Sequence, residues 1–281
     1  MSTLLETERR ATAEYSGDGA TTERWLRWLA PLLIAAVAIG AWDLVVRLNG
    51  IPPYILPGPA LVTKSLFTDW ATLWPSLLVT LRITAMALAA AIVGGVGLAV
   101  LFSLSRWVEL SLFPFAVILQ VTPIVAIAPL ILIYVDNTYL ALLICAWIVA
   151  FFPILSNTTL GLNSADHNLR DLFQLYRATR WQQLVLLRLP SAMPYFLGGL
   201  KIAGGLSLIG AIVAEFAAGT AGTGSGLAYR ILEAGYRLNI PRMFAALILI
   251  SLTGIVIFLA FTLLEHLALR RWHESALRRE I

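Results

Sequence analysis

At 281 residues the chain could form one or two soluble domains, but 59% of it is hydrophobic and only 13% is charged, with a mean hydropathy of +0.82. An ordinary soluble domain carries roughly 25% charged residues, so this composition cannot make a water-facing surface of the usual kind, and a protein buried in a bilayer is expected. The net charge of +4 would suit a nucleic-acid partner only if the basic residues shared one polar face; they fall instead between long apolar runs, which argues against that class.

The first 24 residues are polar, with Glu6, Arg9, Arg10, Glu14 and Asp18 among them, and read as a cytoplasmic tail. They lack the short apolar core and small-residue cleavage site of a signal peptide. Six apolar runs follow, at 27–48, 77–104, 111–135, 138–160, 195–218 and 243–266. Each is long enough to cross a hydrocarbon layer that takes about 20 residues of helix. The expected architecture is an all-α integral membrane protein of six transmembrane helices, with a membrane domain at 25–272 and a cytoplasmic tail at 273–281. The third run contains Pro114, Pro123 and Pro129 and is predicted to be a kinked helix buried in protein rather than facing lipid.

Between the first two runs, Ile51-Pro52-Pro53 and Leu56-Pro57-Gly58-Pro59 predict a rigid turn, followed by a short interfacial helix over 60–70. With the N-terminus inside, fourteen of the 20 basic residues fall on the cytoplasmic side, so both termini and the loop 161–194 are expected there. Cys145 lies inside an apolar run and has no second cysteine to bond. His167, His266 and His273 lack metal-ligand spacing, so no metal site and no membrane enzyme is expected.

The loop 161–194 is the only large inner connection. Leu169, Leu172, Phe173 and Tyr176 recur at helical spacing with Arg170, Asp171, Gln174 and Arg177 between them, so the segment is an amphipathic helix too short and too charged to span. It either anchors the loop at the interface or packs on a partner. Pro190 and Pro194 mark where the fifth run begins.

The segment resembles the cytoplasmic coupling motif of bacterial ATP-binding-cassette importer permeases. Asp171 corresponds to the motif's acid, and Leu189-Pro190 with Pro194 to its terminal LP…P pair. Arg177 stands where glycine is usual; an arginine makes a left-handed turn costlier, which leaves a different local backbone open. The resemblance covers about residues 30–272. It includes Leu56-Pro57-Gly58-Pro59, the stretch TPIVAIAP at 122–129, FPILSNT at 152–158, and Val213-Ala214-Glu215. The chain is similar to the subfamily importing nitrate, taurine and other sulfonates, or pyrimidine-type vitamin precursors.

That resemblance implies a type I importer permease fold with the pathway formed by two permease copies, most simply a homodimer. It implies a cytosolic ATPase dimer that carries the ATP and magnesium, so that this chain binds no cofactor itself, and an extracytoplasmic solute-binding protein. The ATPase-coupling residues would be Asp171, Leu172, Phe173, Tyr176, Arg177, Ala178, Thr179 and Arg180. The location would be the bacterial inner membrane.

Few ionisable groups lie in the spans. Arg82 and Glu215 sit at similar inferred depth near outer span ends, and a structural pair between them is the favoured reading over a role in the pathway. Gln120, Thr122, Asn157 and Ser207 are candidate pathway polar residues, though helix packing explains them equally well. A self-contained proton-coupled carrier is the alternative. The stretch GTAGTGSG at 219–226 lacks the Gly-Lys-Ser/Thr of a phosphate loop and is predicted to end the fifth span and lead into a short outer helix over 227–235.

Overall fold

A computed structural model describes residues 29–219 and 224–270, so expectations for the two tails and for 220–223 lie outside the described residues. The chain divides into two compact units at Lys64 and Ser65. In the first, α1 (Leu29–Leu48) is apolar and nowhere buried by its own chain, as a lipid-facing helix would be. Asp43 and Arg47 pair one turn apart at 2.7 Å. The helix ends at Gly50, whose φ of +58° is open to a residue without Cβ. Gly50 N–H donates to Arg47 O and Ile51 N–H to Val46 O, the paired bonds of a Schellman turn. The proline-rich turn follows, and α2 (Pro59–Thr68) is the short helix expected there.

The second unit begins within α2. It continues as α3 (Trp70–Leu104), α4 (Arg106–Val121), α5 (Ile124–Tyr134), α6 (Thr138–Asn163), α7 (His167–Leu175), α8 (Arg180–Gln183), α9 (Leu189–Ala218), α10 (Leu227–Tyr236) and α11 (Ile240–Leu269). The described residues contain no strand. Five helical stretches are long and apolar enough to span, and α4 with α5 makes a sixth if the bent pair is one span.

Helices α3, α6 and α9 form the core. Ile83, Ala87, Ala91 and Ala99 line one face of α3, and Ala146, Ile154 and Leu155 of α6 and Ala203 and Ala211 of α9 are likewise fully buried. Without water to drive apolar faces together, close helix contact in a bilayer depends on small residues. At Gly210 an added Cβ would sit 2.8 Å from Ala146 Cα, and at Gly199 it would sit 2.7 Å from Asn157 Cβ. Larger side chains would push α6 and α9 apart.

Two expectations are corrected. The third run is two helices meeting at 101°, broken at Thr122-Pro123, and not one kinked helix. Thr122 is held extended before a proline, and Pro123 has no N–H with which to continue the α4 ladder. Nor is the pair buried by its own chain: Ala116 and Ala128 are the only buried residues in α4 and α5. The fifth run does not begin at the prolines either. The helix is continuous over Arg180–Ala218, with a π-helical turn at Leu184–Arg188 just before Pro190. The wider turn accommodates prolines that would clash with the carbonyls four residues earlier.

Candidate functional site

The segment between α6 and α9 is built from two short helices and a tight turn. Asp166 caps α7, its carboxylate accepting from Asn168 N–H and Leu169 N–H. At the other end Arg177 N–H donates to Gln174 O and Ala178 N–H to Phe173 O, a second Schellman turn. Arg177 occupies its left-handed position with φ of +52°. The glycine geometry is therefore kept without the glycine, at a cost of about 1–2 kcal/mol for an L-residue. Thr179 starts α8 with a capping box: its hydroxyl accepts from Gln182 N–H while Gln182 Oε1 accepts from Thr179 N–H.

Rigid caps at both ends leave the apolar side chains facing outward. Leu169, Leu172, Leu175 and Tyr176 are exposed, Tyr176 at 81%. Leu172, Phe173, Tyr176, Ala178, Gln182 and Leu186 line a shallow cup of ≈ 280 Å³. The coupling residues named from the sequence thus share one continuous segment, but its apolar side is a cup rather than a ridge. Asp171 and Arg180 are exposed on the same segment.

The expected pair of Arg82 and Glu215 does not form. Arg82 is exposed on α3 with its guanidinium 5.4 Å from the Tyr139 ring centre. Glu215 is 2% exposed on α9, its Oε1 accepting from the Thr80 hydroxyl at 2.7 Å. The reason is angular: Thr80 and Arg82 are about 200° apart around α3 at 100° per residue, so a helix that turns Thr80 toward α9 turns Arg82 away. Glu215 Oε2 accepts from Ala228 N–H at 3.0 Å, and Thr80 Oγ1 accepts from Leu227 N–H at 2.9 Å. A carboxylate and a hydroxyl from two core helices therefore cap the start of α10, where free N–H groups and the helix dipole favour negative charge. Gly226 closes against this cap: a Cβ there would lie 2.0 Å from Glu215 Oε1.

The other polar candidates are not brought together. Thr122 donates to Ile118 O, Asn157 to Pro153 O and Ser207 to Gly204 O, each within its own helix. Gln120 is exposed on α4. Lys201 of α9 reaches Glu265 of α11 at 3.5 Å.

A charged network missed in the sequence lies beside the α10 cap. Arg242 pairs with Asp69, which also accepts from Ser65 at 2.7 Å. Glu233 is bridged by Arg230 at 2.7 Å and Arg237 at 3.0 Å, and Arg230 also donates to Ser76 Oγ. The Arg242 hydrogen bond holds the Asp69 carboxyl below its ordinary range, and the Arg230 hydrogen bond does the same to Glu233.

Residues 91–270 match the family described as binding-protein-dependent transport system inner membrane component. The chain belongs to this family. Among its relatives, a probable ABC transporter permease of Haemophilus influenzae is 32% identical over 86% of this chain and 97% of its own. The formylaminopyrimidine transport permease of Halalkalibacterium halodurans is also 32% identical, over 86% of this chain and 95% of its own. A crystal structure of an amino acid ABC transporter with histidines aligns with a TM-score of 0.56 at 19% identity, covering 74% of this chain and 94% of that one, a likeness of fold. The protein is thus a membrane-spanning transport subunit with the type I importer permease fold, and its family role is transport rather than catalysis.

Proposed function

We propose that this permease forms one half of the pathway of an ATP-binding-cassette importer and that α7–α8 is the segment its separate ATPase grips. The observation that supports it is the cup on α7–α8, exposed, apolar and held between two capped ends, a shape suited to receive a partner's apolar side chain. ATP and magnesium would be held by that partner. A second copy of this chain would complete the pathway, for which the exposed face of α5 is an available surface. Both termini and α7–α8 would be cytoplasmic, and an extracytoplasmic binding protein would deliver the solute at the opposite end. The solute would be a small organic or inorganic anion such as a sulfonate or nitrate, or a pyrimidine-type precursor as for the named Halalkalibacterium relative.

A proton-coupled carrier would need an ionisable group free to load and unload within its spans. Glu215, the fully buried carboxylate, is instead committed to Thr80 and the α10 backbone. The test is co-purification of the ATPase with wild type and with Tyr176→Ala, alongside ATP-dependent uptake in proteoliposomes. Tyr176 is exposed, so its truncation should leave the fold intact while weakening ATPase binding by tenfold or more if it anchors the contact. Transport by the permease alone, or full ATPase retention by the variant, overturns the reading.

A further inference from the structure

A polar cavity of ≈ 560 Å³ opens where the end of α3 and the start of α4 meet α8 and the π-helical turn. Arg106, Arg180 and Arg188 line it. The ion pairing there is confined to Arg106 with Glu109 at 3.0 Å. Arg188 is half-buried and spends one N–H on Ser103 O, and among the described residues neither it nor Arg180 has a carboxylate partner. A half-buried guanidinium lining one cavity with two exposed ones, against a single nearby carboxylate, makes a site for an anion.

The surroundings select among anions. Trp107, 81% exposed, stands at the cavity rim, and an exposed indole beside basic groups is characteristic of the headgroup level. From it an exposed apolar stripe runs along α4 through Leu110, Phe115 and Ile118, at helical spacing on one side of the helix. A headgroup phosphate in the cavity would leave acyl chains against that stripe. A free anion or an acidic side chain of a cytosolic partner would have no use for it.

We propose that this cavity binds the phosphate of an anionic phospholipid headgroup, with Arg180 and Arg188 as its principal ligands and the α4 stripe as the bed for its chains. The site stands apart from the coupling cup, although both use α8, so its occupant would fix the position of α8 against α4.

The test uses the full-length chain in detergent micelles doped with equal mole fractions of phosphatidylglycerol and phosphatidylcholine, with retained lipid per chain counted by mass spectrometry after purification. Wild type should hold phosphatidylglycerol preferentially. Arg180→Gln, at an exposed position with no side-chain partner, should lower its retention about fivefold, and Arg180→Gln with Arg188→Gln by about 25-fold, following the attraction of a single basic group for an anionic surface. Arg188→Lys, which keeps the charge, should stay near wild type, separating lost attraction from lost fold. Equal retention of the two lipids, or no change in Arg180→Gln, overturns the proposal. So does displacement of the lipid by millimolar inorganic phosphate, which makes this a free-anion site. Loss of the lipid from permease purified with its ATPase also overturns it, since the occupant would then be a partner's carboxylate.

Discussion

The cap on α10 makes a prediction that separates a structural Glu215 from a pathway Glu215. Glu215→Ala removes the acceptor for Ala228 N–H and for the Thr80 hydroxyl, both buried. Losing a charged acceptor and stranding buried donors costs about 3 kcal/mol. Gly226→Ala should cost about as much by another route. Its Cβ would fall 2.0 Å from Glu215 Oε1 and 2.1 Å from Cδ, so the carboxylate must leave the cap. Because the two lesions act on one contact, they should not add. In the Glu215→Ala background Gly226→Ala should cost no more than about 0.5 kcal/mol, a coupling of about 2–3 kcal/mol. Thermal unfolding of the four proteins in one detergent, followed by tryptophan fluorescence, measures the cycle. Additive losses would refute the packing of Gly226 on the carboxylate. A Glu215→Ala protein that is fully stable but altered in solute selectivity would refute the cap as the reason for Glu215.

Relief of the left-handed strain at Arg177 should make Arg177→Gly more stable by up to about 1 kcal/mol, while the β-branched Arg177→Val should be less stable by more than that, both read as shifts in thermal midpoint. Asp69 has a carboxyl pKa lowered in the folded state, so its stabilisation is present above the ordinary value of 3.8 and is lost as pH falls through the depressed one. An acid titration of the unfolding midpoint should therefore show a decline below about pH 4 that is shallower in Asp69→Asn. Truncating Leu172, which is exposed beside Tyr176 in the α7 cup, should weaken ATPase co-purification without shifting the thermal midpoint.

Length and periodicity carried much of the architecture: α1, α3, α6, α9 and α11 overlap the long apolar runs, and α2, α7 and α10 the three short amphipathic or outer segments. What escaped was direction around a helix axis and the choice among proline effects. Arg82 and Glu215 were matched by depth alone, whereas the face of α3 was already marked by Leu73, Leu77, Thr80, Thr84 and Ala87 at three- and four-residue spacing, a row that excludes Arg82. Pro123 follows Thr122 with a second proline six residues on, yet Pro75 and Pro153 sit inside intact helices. Sequence alone does not say which proline breaks and which is absorbed, because neighbouring helices decide it. The backbone at Arg177 was open for a related reason: propensity disfavours the left-handed turn, and the two bonds from Arg177 and Ala178 to the end of α7 override it.

The α10–α11 connection repeats the construction of the α7–α8 one, and this bears on how the two ends of the bundle communicate. Leu238 holds the left-handed position after α10 with φ of +54°, with Leu238 N–H on Gly235 O and Asn239 N–H on Ala234 O, and Asn239 then caps α11. Both connections therefore join their helices by a Schellman turn that leads at once into an N-cap, with little slack. Between them runs one helix of 39 residues, Arg180–Ala218, about 58 Å long at 1.5 Å per residue. Its first turn is α8, attached to the cup on α7, and three residues before its end is Glu215, pinned to α10. A load applied to α7–α8 thus has a continuous path of backbone hydrogen bonds to α10, interrupted in its α-helical pattern by the π-helical turn at Leu184–Arg188. Packed helices with two discrete arrangements pass on such displacements without any chemistry in the chain that carries them. Removing Glu215 would then loosen α10 at the far end of the rod, where Thr80 still holds Leu227 N–H, while leaving α7–α8 untouched.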